Sequence, residues 1–195
     1  MNESIAMHAN PKTSPSIWQA ARQQKAFRQL MQAFAYPGRT LPLAEVGEDT
    51  TLLLLATLVD GGCRLADPQQ QLNQDDLQRL GVTRSASDAA DYLLCQGTRP
   101  LEAEPRLGTL ENPEQGATIV LQVASLAQGS SLTLSGPGIR DRHHLQVSGV
   151  DPDWWIRREA WNAHFPLGVD MILVSEEAVI ALPRTTTLRY TKGAR

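Results

Sequence analysis

Two hydrophobic runs near the C-terminus constrain this chain more than any other stretch. Phe165-Pro-Leu-Gly-Val-Asp-Met-Ile-Leu-Val-Ser175 and Val179-Ile-Ala-Leu-Pro-Arg-Thr-Thr-Thr187 flank a short polar turn, Glu176-Glu177-Ala178. Runs of this length, rich in branched residues and joined so closely, read as adjacent buried strands of a hairpin. Each carries a polar group that a plain core strand does not need. Asp170 lies inside the first, and Arg184, Thr185 and Thr186 follow the second. A charge set into a buried strand costs several kcal/mol unless it is paired. These groups therefore close a structural network or build a site.

The rest of the chain supplies helices. Ser14-Pro15 can start one, with Ser as cap and Pro at the first helical position. Ala26 or Phe27, Leu30, Met31 and Phe34 then give its apolar stripe, and Pro37-Gly38 stops it. Asp49-Thr50 caps a second helix, Thr51 to Val59, apolar nearly all round and ended by Gly61-Gly62. A weaker helix around Leu72, Leu77 and Leu80 closes at Gly81, and Ser87-Asp88 introduces a further turn. Asp151-Pro152-Asp153 starts a helix reaching about Ala163, with Trp154, Arg158 and Trp161 on one face and Trp155 about a hundred degrees away. At least one of these tryptophans can be exposed; the alternative is a wide core-facing stripe.

Strands are expected at Thr40–Leu43, Cys63–Ala66, Tyr92–Cys95 and His144–Val147. Ala117–Leu126 and Ser131–Leu134 read as a pair joined by a hairpin at Ala127–Ser130. Residues 100–115 are irregular. Residues 1–13 are polar and without period and read as a mobile segment, leaving 14–195 as one α/β domain. Its sheet is expected to be mixed, with helices on both faces and an antiparallel part at the C-terminal end.

Composition excludes several roles. Net charge is −3 over 195 residues, so no field gathers nucleic acid or an anionic membrane. No apolar run reaches membrane-spanning length, and the polar N-terminus is not a secretory signal, so a cytoplasmic protein is expected. Cys63 and Cys95 sit far apart in apolar segments and read as reduced core thiols. Lys12, Lys25 and Lys192 are the only lysines, so the long middle of the chain offers no amine for a Schiff base.

Two constellations can carry chemistry, and two other signals fall away. Arg184-Thr185-Thr186 offers a guanidinium fork and hydroxyls to a phosphate or carboxylate; alternatively it is an edge strand whose arginine pairs with Glu176 or Glu177. Gly136 and Gly138 around Pro137 let backbone approach a ligand or another chain, or simply make a tight turn; they lack dinucleotide-fingerprint spacing. His143 and His144 point to opposite faces of a strand and cannot share a metal. No nucleophile elbow occurs.

Five segments in order then resemble a known family: Phe27-Arg28-x-Leu30-Met31-x-Ala33-x-x-x-Pro37-Gly38, Gly116 to Leu126, Leu134-Ser-Gly-Pro-Gly-Ile139, Phe165 to Asp170, and Leu182-Pro-Arg-Thr-Thr186. The resemblance covers about residues 18–190 and is to the H subunit of the bacterial carbon–phosphorus lyase system. It implies a fold similar to the large domain of pyridoxal-phosphate-dependent transferases without the cofactor site, and a homodimer when isolated. It also implies a core complex with the G, I, J and K subunits that degrades organic phosphonates. There the I subunit, assisted by G, H and L, converts ATP and a phosphonate to ribose 1-phosphonate 5-triphosphate. S-adenosylmethionine and an iron–sulfur cluster serve the J subunit later. The lysine distribution and the two cysteines agree that neither a pyridoxal nor a cluster site belongs to this chain. The resemblance marks Arg184, Thr185, Thr186, Asp170, Arg28, Gly136 and Gly138 as candidates for binding an anion or a partner, and none as catalytic. Other readings are an enzyme in its own right, gripping a phosphonate or phosphate through Arg184, Thr185 and Thr186, or a free-standing dimeric phosphonate- or phosphate-binding sensor; in the subunit reading Arg184 is expected as a partly buried charge near Asp170 or a bound anion.

Overall fold

A computed structural model describes residues 15–191. The expected mobile segment and the Ser14 cap lie outside them. A 3-10 turn, Pro15–Trp18, leads into α1, Ala20–Ala35. Tyr36, at φ −128° and ψ 75°, is out of the helical region before Pro37 and ends α1. β1 is Leu41–Pro42, and α2 is Thr50–Leu58, capped by the Asp49 carboxylate accepting from Leu52 N at 2.9 Å. β2 is Arg64–Ala66, α3 is Gln74–Leu80 with Gly81 in the left-handed region as its C-cap, and β3 is Thr83–Arg84. β4 is Tyr92–Gln96, β5 Thr118–Gln122, β6 Ser125–Ser135 and β7 His143–Ser148. α4, Asp153–Trp161, precedes β8, Asp170–Val174, β9, Ala178–Leu182, and β10, Thr187–Thr191.

Seven strands form one mixed sheet in the order β1-β9-β8-β5-β4-β2-β3, and three form a second in the order β10-β6-β7. The parallel pairs run from β8 through β5 and β4 to β2 and β3; β8, β9 and β1 pair antiparallel. The mixed α/β reading holds, and the C-terminal hairpin is β8–β9. Central strands have no solvated face. Ile119, Val120 and Leu121 of β5 are all fully buried, alternating between two cores. On one side lie α1 and α2. On the other lie α4 and the small sheet, so a helix and a sheet together cover the face where helices alone were expected.

Two expectations are corrected, and one open reading is settled. β5 and β6 are not a hairpin. β5 is apolar on both faces and takes β4 and β8 as parallel neighbours, whereas β6 alternates, buries Leu132 and Leu134, and joins the other sheet. Ala127–Ser130 is an irregularity inside β6, not its turn. The buried stripe of α1 is Ala26, Leu30 and Ala33, while Phe27 and Met31 are 47% and 57% exposed. Of the two readings of the tryptophans, the wide core-facing stripe holds: Trp154, Trp155 and Trp161 are all buried, the first and last meeting edge-to-face at 6.3 Å. The irregular loop after β4 covers them: Trp154 Nε1 donates to Arg99 O at 3.2 Å, and Trp161 Nε1 donates to Glu104.

Candidate functional site

Residues 183–186 are where the chain leaves the large sheet at β9 and enters the small one at β10. They form a turn, closed by Thr186 N donating to Pro183 O at 2.9 Å, not the expected edge strand. A turn between two sheets exposes backbone carbonyls in a place water reaches poorly. Such groups need donors. Arg158 supplies them, and Arg184, within the turn, ties it to the neighbouring segments.

Arg184 and Asp170 form the first clamp. Asp170 opens β8 rather than interrupting it. Its carboxylate accepts from Arg184 N at 2.7 Å and from Arg184 Nη2 at 2.8 Å. Arg184 Nη1 donates to Pro113 O at 2.7 Å and Pro166 O at 3.3 Å. The alternative pairing with Glu176 or Glu177 does not occur, and Arg184 is the partly buried charge beside Asp170 that the sequence leads one to expect. This guanidinium is spent on the protein's own groups and has little left for a ligand.

Arg158 of α4 is the second clamp, and its role is not assigned by the sequence reading. It is 2% exposed. Nη1 donates to Thr186 O at 3.0 Å; Nη2 donates to Pro183 O at 2.7 Å and Leu182 O at 3.3 Å. Burial pulls its pKa down to about 10, opposed by the charge of Asp170, so the cation persists at neutral pH. The available signal was its position: a charge set among tryptophans on the apolar stripe of a helix.

Beside the two clamps runs a cleft of about 240 Å³, lined among others by Trp155, Arg158, Glu159, Asn162, Arg184 and Thr186. Arg158 Nε, Asn162 Nδ2 and Thr186 Oγ1 are buried without a partner among the described residues. The three are donors under one wall. They suit oxygen acceptors and provide neither a nucleophile nor a base.

The other candidates are scattered. Thr185 is exposed while Thr186 is 1% exposed, so the two hydroxyls do not converge. Gly136, at φ 133°, places its Cα where a Cβ would lie 2.8 Å from Thr185 O. Gly138, at φ 80°, would set a Cβ 2.5 Å from Ala35 O. The close approach that these glycines permit is to this chain's own turn and to the end of α1. Arg28 is exposed on α1, which packs on the sheet face opposite α4, and pairs with no described residue. Cys95 is buried and its thiol is pushed up to about 12 by burial; Cys63 is half-buried and raised for the same first cause.

The family model for the bacterial phosphonate metabolism protein PhnH matches residues 16–189. The chain belongs to the PhnH family. Two relatives extend the match. A protein of Stutzerimonas stutzeri with the provisional name C-P lyase subunit protein HtxG is 57% identical over 194 residues, covering 100% of this chain and 99% of the relative. The subunit PhnH of the alpha-D-ribose 1-methylphosphonate 5-triphosphate synthase of Rhizobium meliloti (strain 1021) is 32% identical, covering 85% and 89%. In this PhnH-family chain the Leu182-Pro-Arg-Thr-Thr186 segment is the clamped inter-sheet turn, and Phe165 to Asp170 supplies its counter-charge. No described helix is long and apolar enough to cross a membrane.

Proposed function

We propose that this chain is an assisting subunit of a carbon–phosphorus lyase assembly in organic phosphonate catabolism. One observation carries the reading: 57% identity, end to end, to a protein named as a C-P lyase subunit. The R. meliloti relative's name supports a place at the formation of a ribose 1-phosphonate 5-triphosphate, a transferase step in which ATP and a phosphonate combine on a sister subunit. The site geometry favours assistance over catalysis. Asp170, Arg184 and Arg158 spend their hydrogen bonds on holding one turn in place, and among the described residues no base is hydrogen-bonded to a nucleophile there.

In this reading the chain carries no cofactor of its own. Its likeness to pyridoxal-phosphate-dependent transferases is one of fold only, since no lysine stands between Lys25 and Lys192. ATP, S-adenosylmethionine and the iron–sulfur cluster serve other subunits. The chain is cytoplasmic, homodimeric when alone, and joined in the cell to the G, I, J and K subunits. Phe27 and Met31, four apart on α1 and both exposed, are the contact we assign to a sister subunit, with Arg28 beside them.

Co-expression with the sister subunits, followed by affinity capture of this chain, tests the proposal. A stable complex is expected, lost with Phe27→Asp plus Met31→Asp while thermal stability is kept. Capture of this chain alone, with all sister subunits present and folded, overturns the assignment.

A further inference from the structure

We propose that the outward face of the small sheet holds a binding pocket for a phosphorus oxyanion, the phosphonyl or phosphoryl group of a small molecule. Arg142 and Arg189 grip it, with the hydroxyls of Thr133, Ser135 and Thr187. These five residues line a pocket of about 200 Å³. At ~30 Å³ per water this is room for roughly six waters, enough for a tetrahedral oxyanion and part of its shell.

Strand alternation builds the pocket. Leu132 and Leu134 of β6 point into the core, so Thr133 and Ser135 point out. The register sets Thr187 of β10 directly opposite Ser135, and Arg189 directly opposite Thr133. Across the other edge, His144 stands opposite Thr133, its Nδ1 3.2 Å from the threonine hydroxyl. Arg142, just before β7, completes the wall.

The charge pattern marks this as more than a solvated sheet face. Exposed sheet faces usually set opposite charges across from each other. Here two guanidinium groups share one concavity, none of the five lining residues is acidic, and neither arginine forms an ion pair with a described residue. Planar forks flanked by hydroxyls match the several oxygens of a tetrahedral phosphorus group. The neighbouring cleft offers the instructive contrast. Its arginines are already occupied by Asp170 and by carbonyls. The oxyanion chemistry stands on this geometry alone; the choice of a phosphonate as probe rests on the proposed function.

The test is calorimetric titration of the full chain with methylphosphonate, inorganic phosphate and ATP at fixed ionic strength. Saturable binding of at least one is expected, and the arm that binds most tightly names the source of the group. Arg142→Gln and Arg189→Gln should each weaken it about tenfold or more, and added salt should weaken it in the wild type. Arginine modification by phenylglyoxal, read by mass spectrometry on the unaltered chain, should be blocked by the same probe at Arg142 and Arg189. No binding in any arm, unprotected arginines, or full-strength binding by the double variant overturns the proposal. So does a double variant that binds normally but no longer captures sister subunits, since that assigns the face to a partner. Loss of ligand binding with the complex intact supports the pocket and leaves the subunit reading standing. Failure of wild-type capture alone strikes only the subunit reading.

Discussion

Removing the carboxylate of Asp170 should destabilise the fold more than any other single change at the inter-sheet turn. The pair with Arg184 spans 2.8 Å, with side chains 13% and 23% exposed. At that distance the Coulomb attraction is about 1.5 kcal/mol in bulk water and about 6 kcal/mol at the effective dielectric typical near a protein surface. Desolvation offsets part of it. The substitution also removes the acceptor for Arg184 N and the nearest compensating charge for buried Arg158. Asp170→Ala is therefore expected to cost about 3 kcal/mol, within the range for stranding one partner of a buried pair. Asp170→Asn keeps an acceptor for the backbone N–H but loses the charge, and should cost about 2 kcal/mol. The assay is equilibrium urea denaturation with an unchanged m-value. For a chain of this size the alanine variant should also melt about 6–12 °C lower. A double-mutant cycle with Arg184→Ala should return a coupling of about 2 kcal/mol. Asp170→Asn within about 0.5 kcal/mol of wild type would refute the clamp, because an unpaired buried charge cannot be that cheap.

Three further outcomes are expected. Arg158→Lys should cost about 2 kcal/mol in the same assay, since a single ammonium cannot serve the carbonyls of Leu182, Pro183 and Thr186 together; equal stability would show that the fork does not order the turn. The Arg64 side chain, helped by Arg64 N and Arg106 and opposed by burial, holds the Asp91 carboxyl below the usual carboxylate range. The ionised form is thus favoured on folding, a stabilisation present above the unfolded value near about 3.9 and lost as pH falls through the lower folded value. Asp91→Asn should therefore be less stable than wild type at pH 7, with the gap closing as pH drops below about 4; a gap independent of pH contradicts this. Iodoacetamide at pH 8 should label Cys63 slowly and Cys95 only after unfolding, because burial both covers the Cys95 thiol and holds it protonated; mass-spectrometric mapping of the native protein decides.

The hydrophobic pattern alone placed most elements. α2, α3 with its Gly81 cap, β4, and the β8–β9 hairpin stand where periodicity and turn chemistry put them. It also showed that the C-terminal polar groups demanded partners, because a buried charge must be compensated whatever the fold. Local pattern could not choose between neighbours. Thr118–Gln122 and Ser125–Ser135 follow one another like hairpin strands, and only long-range pairing sent them to different sheets. The same limit hid the small sheet, whose third strand, β10, comes from the far end of the chain. On α1, Ala26, Leu30 and Phe34 face the core where periodicity put them, while Met31 turns outward and Ala33 takes an inward place.

By itself, then, the sequence determined which segments are buried, where the costly charges sit, and which family the chain joins. Tertiary structure decided what those charges do. Asp170 meets Arg184 across fourteen residues of hairpin, and Arg158 reaches the same turn from a helix 24 or more residues earlier. Arg142, just before β7, comes to share a pocket with Arg189 of β10 only because both strands flank β6. Electrostatic partnership depends on distances of a few ångströms, and those distances are set by packing between segments far apart in sequence.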